Sequence, residues 1–574
     1  MHPAPAGTTA AAPSPATSQI ALAEVTKRYG DRLVLDRVSL TIGPGEKAGI
    51  VGDNGSGKST LLRLLAGREP VGGGSLTVTA PGGTAHLGQT LDLPASARVG
   101  DAVDHVLGEL RALEHRVRAA GAALGTTGTA GSEHYAALVA AFEARGGHDA
   151  DRRVEVGLRR LGEHAPLDRD RPLGTLSGGQ RSRLALAAVL ASSPELLLLD
   201  EPTNDLDDEA VAWLEGRLRR HRGTVVVATH DRAFLEHVTG TILEVDHDRH
   251  TVRRYGNGYA GFLTAKAAAR ARWAWEHERW RDEVARQERL ADSGIGLLAK
   301  IPRKGPRAFS GAGAFRARSR SHGAQSRIRN AHRQLRRLTD HPVPPPPRPL
   351  RFTGRVDGPP PAGEPPAAVY LEDALVEGRL YVPSLRLAPG GRLLVTGPNG
   401  AGKTTLLQLL AGELAPDAGV VRRPRRVGFL RQQSAPGAAS DTRALLTAFA
   451  AGRAGPSDEH ADALLALGLF RAADLAVPVR ELSAGQRRKL ELARLVTAGP
   501  LDLLLLDEPT NHLAPALVEE IEAALAPCTA TLVVVTHDRL LRERFDGPRL
   551  ELPAVTGGRG TPAAPPRRPG PSRS

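Results

Sequence analysis

Apolar positions along this chain fall into two patterns. The first is the short unbroken run: Ala48–Val51, Leu196–Leu199, Thr224–Ala228, Leu393–Thr396, Leu503–Leu506 and Leu532–Val535. These are buried-strand lengths, far short of the ~20 apolar residues that span a bilayer. Longer strands are expected at Ile20–Val25 and Val34–Ile42, with a turn at Gly30-Asp31. Leu-rich stretches at Leu61–Leu65 and Leu406–Leu410 read as helices. Ala102 to Leu173 has helical periodicity, and the Gly/Thr-rich piece Gly125–Gly131 within it predicts a surface loop. The second pattern is a narrow stripe. Trp273, His277, Trp280, Val284, Gln287 and Ala291 recur at helical spacing, as do Ile328, Ala331, Leu335 and Leu338. Charged residues fill the other positions, as in an antiparallel helical hairpin rather than a globular core. Gly294, Gly296, Pro302, Gly305 and Pro306 place the turn of that hairpin within Ser293–Ser310.

Two octets carry the first chemistry. Gly52-Asp53-Asn54-Gly55-Ser56-Gly57-Lys58-Ser59 and Gly397-Pro398-Asn399-Gly400-Ala401-Gly402-Lys403-Thr404 both fit the phosphate-cradling pattern G-x-x-x-x-G-K-[ST]. Each follows an apolar strand and opens a Leu-rich helix, which is the context the pattern requires. Glycines 52, 55, 57, 397, 400 and 402 let backbone N–H groups turn toward phosphate. Asn54 and Asn399 lie within the loops, and Thr60 and Thr405 follow them. The lysines reach the β/γ-phosphates, and the hydroxyls of Ser59 and Thr404 suit Mg²⁺.

Further features repeat in the same order. Leu176-Ser177-Gly178-Gly179-Gln180 and Leu482-Ser483-Ala484-Gly485-Gln486 open helices whose N-termini present donors to an anion. Apolar strands then end in Asp200-Glu201-Pro202-Thr203-Asn204 and Asp507-Glu508-Pro509-Thr510-Asn511. The aspartates Asp200 and Asp507 are placed for Mg²⁺, and Glu201 and Glu508 for polarising a water. Gln89 and Gln432 each end a strand, and Thr229-His230-Asp231 matches Thr536-His537-Asp538. An isolated Asp-Glu or Thr-His at a strand end is a cap. Repeated in order behind two phosphate loops, these are catalytic candidates. Tyr29 is positioned either to stack on adenine or to pack at its strand end, whereas the second half offers Ala374 at the corresponding distance.

With that series in hand, the chain resembles the ABC ATPases, with two cassettes in one polypeptide, and is similar in particular to the ABC-F class, for which Asp-Glu-Pro-Thr-Asn is a hallmark. The resemblance implies an α/β fold of two phosphate-loop ATPase domains joined by an α-helical hairpin linker. It also implies ATP hydrolysis at two sites closed head to tail within one monomer. Lys58, Ser59, Gln89, Asp200, Glu201 and His230 would share one site with Ser483, Gly485 and Gln486. Lys403, Thr404, Gln432, Asp507, Glu508 and His537 would share the other with Ser177, Gly179 and Gln180. The expected organisation is a disordered start (1–18), a first cassette (19–260), the basic hairpin (261–340), a Pro-rich connector (341–367), a second cassette (368–553) and an Arg/Pro-rich tail (554–574).

Composition adds a partner. The 574-residue chain carries a net charge of +13 and a single cysteine, Cys528. One cysteine excludes a disulfide framework and fits a cytoplasmic protein. From Ser293 to Thr339 there is no Asp or Glu, against twelve Lys and Arg. One-sided charge on that scale repels itself without an anion, and guanidinium forks suit phosphate. Arg316, Arg318, Arg320, Arg327, Arg329, Arg333 and Arg337 are therefore RNA-binding candidates. In the resembled class, a hairpin at this place enters the tRNA exit site of the ribosome and approaches the peptidyl-transferase centre, which makes large-subunit RNA, and tRNA as well, the expected partners. An exporter's energy subunit or a DNA-associated ATPase leaves the hairpin or its placement unexplained. The Arg-over-Lys bias resembles actinomycete proteins, which sets protection of the ribosome from an antibiotic ahead of a housekeeping translation role. The apolar tip residues Leu297, Leu298 and Ile301 are the expected points of contact.

Overall fold

The structure, a computed structural model, describes residues 17–88, 93–124, 128–247, 249–299, 329–352, 368–398, 400–432, 440–511 and 513–553. These fall into two compact units. The larger contains residues up to Phe262, Leu350–Ala451 and the chain from Ala476 onward, and the smaller contains Leu263–Pro349 with Gly452–Leu475.

Within the larger unit the same construction occurs twice. In the first half, β1 (Gln19–Tyr29), β2 (Arg32–Ile42), β3 (Lys47–Val51), helix α1 (Lys58–Leu65), β4 (Gly73–Thr79) and β5 (Thr84–Leu87) come first. Helices α2 (Val99–Val106), α3 (Gly108–Ala123), α4 (Gly128–Ala144), α5 (Ala150–Arg160) and α6 (Gly178–Ala191) follow. Then come β6 (Leu196–Asp200), α7 (Asp208–Arg219), β7 (Thr224–Ala228), α8 (Arg232–Val238), β8 (Thr241–Asp246) and β9 (Thr251–Tyr255). Strands pair as β5-β6-β7-β3-β8-β9, parallel except for the last pair, beside an antiparallel β2-β1-β4 sheet. The runs Leu196–Leu199 and Val225–Ala228 are wholly buried because helices cover both faces of a parallel sheet.

The second half repeats this with β10 (Val369–Val376), β11 (Leu380–Leu387) and β12 (Arg392–Thr396). The smaller unit contributes helix α9 (Gly258–Ala299), which begins in the larger one, and α10 (329–340). Helix α11 (Lys403–Ala411), β13 (Ala418–Arg422), β14 (Val427–Leu430) and α12 (Leu445–Ala450) follow. After α13 (Ser457–Ala466), in the smaller unit, come α14 (Ala484–Val496), β15 (Leu503–Asp507), α15 (Pro515–Leu525), β16 (Thr531–Val535), α16 (Arg539–Arg544) and β17 (Arg549–Glu551). The main sheet, β14-β15-β16-β12-β17, is parallel throughout, and β11-β10-β13 is its antiparallel companion.

The structure corrects three expectations. Ala374 is not the counterpart of Tyr29. It follows a left-handed bulge at Asp373 (φ 48°), as buried Val25 follows one at Glu24 (φ 52°). Both bulges lie where a glycine, Gly419 or Gly74, admits the backbone oxygens. The second hairpin is shorter, with eight-residue strands against eleven, so the tip that carries Tyr29 has no equivalent. Next, α4 starts at Gly128, so Gly128–Gly131 is a helix start rather than loop. Finally, α9 continues through Gly294 and Gly296 to Ala299 instead of turning there. Each glycine costs a helix about 1 kcal/mol, too little to stop one already propagated for about ten turns from Gly258.

In the smaller unit the tryptophans pack the hairpin base. Trp273 Nε1 donates to Pro344 O (2.9 Å) and Trp280 Nε1 to Leu338 O (3.0 Å), while His277 Nδ1 meets Val343 O (2.8 Å). Gln287, Ala291 and Ala331 are buried along the expected stripes. Trp275 differs: it is exposed, with the Arg279 guanidinium over its ring. The connector 343–349 is thus fastened to α9 through its carbonyls.

Candidate functional site

Both phosphate loops sit at the carboxyl ends of the central strands β3 and β12, where ligands of open parallel sheets bind. Gly57 (φ 111°) and Gly402 (φ 90°) cap the helices that follow. A Cβ on Gly402 would lie 2.5 Å from Arg379 O, so the close backbone approach excludes other residues. Lys58 Nζ bonds the carbonyls of Gly52 (2.9 Å) and Asp53 (3.1 Å), and Lys403 Nζ those of Gly397 (2.6 Å) and Pro398 (3.0 Å). Each loop therefore wraps its own ammonium. Thr60 is buried, while Asn399 and Gln89 lie outside the described residues and Gln432 is exposed just past β14.

The carboxylates arrive on β6 and β15. Ser59 hydrogen-bonds Asp200, and Thr404 Oγ1 donates to Asp507 Oδ2 at 2.8 Å. Burial pushes both aspartates above their usual range, with those hydroxyls opposing. Among the described residues, Asp200 Oδ1 is buried with no hydrogen-bond partner. A hydroxyl beside a carboxylate with an unsatisfied oxygen fits a hard divalent cation.

The following glutamates are bent away by the backbone. Glu201 (φ 49°) and Glu508 (φ 48°) are left-handed non-glycine residues, held there by N–H bonds to Ala228 O (2.7 Å) and Val535 O (2.8 Å). Strain of this kind, about 1–3 kcal/mol, persists where neighbours enforce it and a side chain must be aimed. Burial drives each glutamate up to about 7, opposed by Lys58 near Glu201 and by the His537 N–H on Glu508. A carboxyl poised near neutrality is matched to proton abstraction from water. The histidines stand over these groups: His230 Nε2 lies 3.4 Å from Glu201 Oε1, and His537 Nε2 3.6 Å from Glu508 Oε1.

The signature segments are built as caps. Ser177 Oγ accepts from Gln180 N (3.1 Å) and Gln180 Oε1 from Ser177 N (3.1 Å); Ser483 and Gln486 repeat the box at 3.1 and 2.9 Å. The glutamine side chains are thus committed to the helix start, leaving the glycine N–H groups for an anion. A cleft of 2370 Å³ holds Tyr29, Lys58, Ser59, Asp200, Glu201 and His230 together with Gly178, Gly179, Gly397, Lys403 and His537. It exceeds the roughly 300–1,000 Å³ of a single ligand pocket. The first signature thereby lines the same cleft as the second loop's lysine. The second signature, with Ser483 and Gly485, approaches the first loop through Lys489, whose Nζ meets Asp53 Oδ2.

Sequence reasoning missed the side chains that join the two halves. Arg232, fully buried, bonds Asp538 Oδ1 (2.9 Å), Glu519 Oε1 (2.8 Å) and Glu522 of the other cassette. Arg539 returns the exchange to Asp231 (3.1 Å) and Glu215. Both arginines follow the His-Asp pair directly, and that shared offset was the available signal.

This is a twin-cassette phosphate-loop ATPase. A sequence model described as ABC transporter matches residues 35–204 and 380–511, together more than half of the chain. The chain is 57% identical to the tylosin resistance ATP-binding protein TlrC of Streptomyces fradiae over 544 residues, 93% of this chain and 97% of that protein. It is 31% identical to the energy-dependent translational throttle protein EttA of Mycobacterium tuberculosis over 531 residues (91% and 89%). It is 33% identical to the probable ATP-binding protein YheS of Escherichia coli K12 over 532 residues (90% and 76%). The chain belongs to the ABC family, in its ABC-F branch, and hydrolyses ATP. No helix among the described residues is long and apolar enough to cross a membrane.

Proposed function

We propose that this ATPase acts on the ribosome and protects the large subunit from a tylosin-like antibiotic. The observation that carries the reading is the 57% identity, across nearly the whole of both chains, to a tylosin resistance protein. Each ATP site works through residues of both cassettes. Lys58 and Lys403 hold phosphate, Glu201 and Glu508 take the proton of the attacking water, and His230 and His537 orient the γ-phosphate side. Ser177, Gly179 and Gln180, and Ser483, Gly485 and Gln486, close over the phosphates from the opposite cassette. Ser59 with Asp200, and Thr404 with Asp507, would hold Mg²⁺, which when bound would supply charge neutralisation to the phosphoryl oxygens. Gln89 and Gln432 would complete those metal sites, and Tyr29 would stack on one adenine.

The hairpin supplies the RNA contact. Arg329, Arg333 and Arg337 are exposed at four-residue spacing on α10, so one helix face presents three guanidinium groups. Arg316, Arg318, Arg320 and Arg327 lie outside the described residues, as does Ile301. Replacing Arg329, Arg333 and Arg337 with Gln weakens ribosome binding and reduces the log–log salt slope by up to about 3, close to one for each phosphate no longer neutralised. An unchanged slope makes the run a solvated face.

The deciding experiment is cell-free translation inhibited by tylosin. The intact chain restores synthesis. Glu201→Gln/Glu508→Gln, which lowers turnover by about 10²–10⁴, does not sustain it. No rescue, with altered drug-free translation instead, assigns the chain to the throttle-like role that the name of its EttA relative describes.

A further inference from the structure

Two consecutive side chains on α14 point to different ATP sites. Arg488, 4% exposed, gives Nη2 to Asp507 O (2.7 Å) and Glu508 O (2.8 Å), the carboxylate segment of its own cassette. Lys489, the next residue, crosses to Asp53 in the first phosphate loop at 2.5 Å. The pair is largely enclosed, with side chains 16% and 30% exposed. Asp53 is the second residue of the octet, directly beside the backbone that must face phosphate. An unpaired carboxylate there repels a triphosphate.

The other half lacks every part of this arrangement. Pro398 stands where the first loop has Asp53. On α6, Ser182 and Arg183 occupy the places of Arg488 and Lys489. Arg183 turns to Glu163 of its own cassette (2.9 Å), and Ser182 to Gly178 O (3.2 Å). Among the described residues, the ion pair that fastens a phosphate loop to a signature helix is thus that of Lys489 with Asp53.

We propose that Lys489 is a positioning residue acting in trans on the ATP held by the first phosphate loop. It neutralises Asp53 and fixes the loop against the second signature helix. Through Arg488, its neighbour, that fixation is mechanically tied to the Asp507–Glu508 segment of the other site, a coupling that acts equally in both directions.

The test uses the purified full-length chain without ribosomes, so it stands or falls separately from the antibiotic reading. KM and kcat for ATP are measured for wild type, Lys489→Met, Lys489→Arg and Lys489→Met/Asp53→Asn. Lys489→Met raises KM about tenfold, the factor expected for loss of one charge-assisted bond, and leaves kcat within about twofold. Lys489→Arg retains the wild-type KM. Adding Asp53→Asn to Lys489→Met recovers most of the loss, because the repelling carboxylate is gone. High salt narrows the gap between wild type and Lys489→Met, since screening weakens the pair. An unchanged KM for Lys489→Met overturns the proposal. So does a double variant no better than the single, which shows Lys489 acting other than through Asp53. Lys489→Arg controls for folding, because it keeps the charge and length.

Discussion

The two proposed ATP sites share a chemical kit and differ in the contacts around it. At each, a glutamate is strained, buried and raised to about 7, beside an aspartate bonded to a loop hydroxyl. Around that kit the symmetry fails. His230 is 22% exposed in its side chain, with ring nitrogens at Asn54 Oδ1 (2.9 Å) and Leu513 O (3.2 Å) of the other cassette, whereas His537 is 56% exposed. Lys489 clamps the first loop, and Arg183 stays at home. Arg232 meets three carboxylates with no exposure, and Arg539 meets two with 15%. The candidate reacting groups are thus alike in the two halves, while the contacts between the halves differ.

The largest expected effect lies at that junction. Arg232→Ala removes the buried guanidinium from half-buried Asp538, Glu519 and Glu522, with Arg544 as a remaining cation on the two glutamates. Breaking a buried charge cluster by removing one partner costs about 3–5 kcal/mol. Arg539→Ala, at a more exposed and less crowded site, costs about 1–3 kcal/mol. Thermal unfolding of the two variants checks the order. Equal midpoints, or a lower one for Arg539→Ala, removes this part of the comparison.

How much of this was legible in the sequence depended on distance along the chain. The loops, carboxylate segments and histidines were readable because each motif is local and the repeat confirms its order. The capping role of Gln180 and Gln486 was also local, written as Ser-x-x-Gln, although the resemblance directed attention to ATP. The crossing contacts were not readable. Arg232 and Asp538 are 306 positions apart, and many acidic residues could equally well have met that guanidinium. The hairpin at Tyr29 misled for a simpler reason: counting residues back from the loops assumes equal strands, and β10 and β11 are shorter than β1 and β2. Gly294 and Gly296 misled because composition signals a break where a long helix tolerates two glycines.

Inequality of the two sites is tested most directly by disabling one catalytic glutamate at a time. Glu508→Gln leaves the clamped first-loop site active, and Glu201→Gln leaves the second-loop site active. Steady-state hydrolysis by the full-length chain, measured against ATP concentration, is predicted to show the inequality as a different response to Lys489→Met: added to Glu508→Gln it raises KM about tenfold, the factor carried by one charge-assisted bond, and added to Glu201→Gln it leaves KM within about twofold. An equal response of the two single variants would contradict the account.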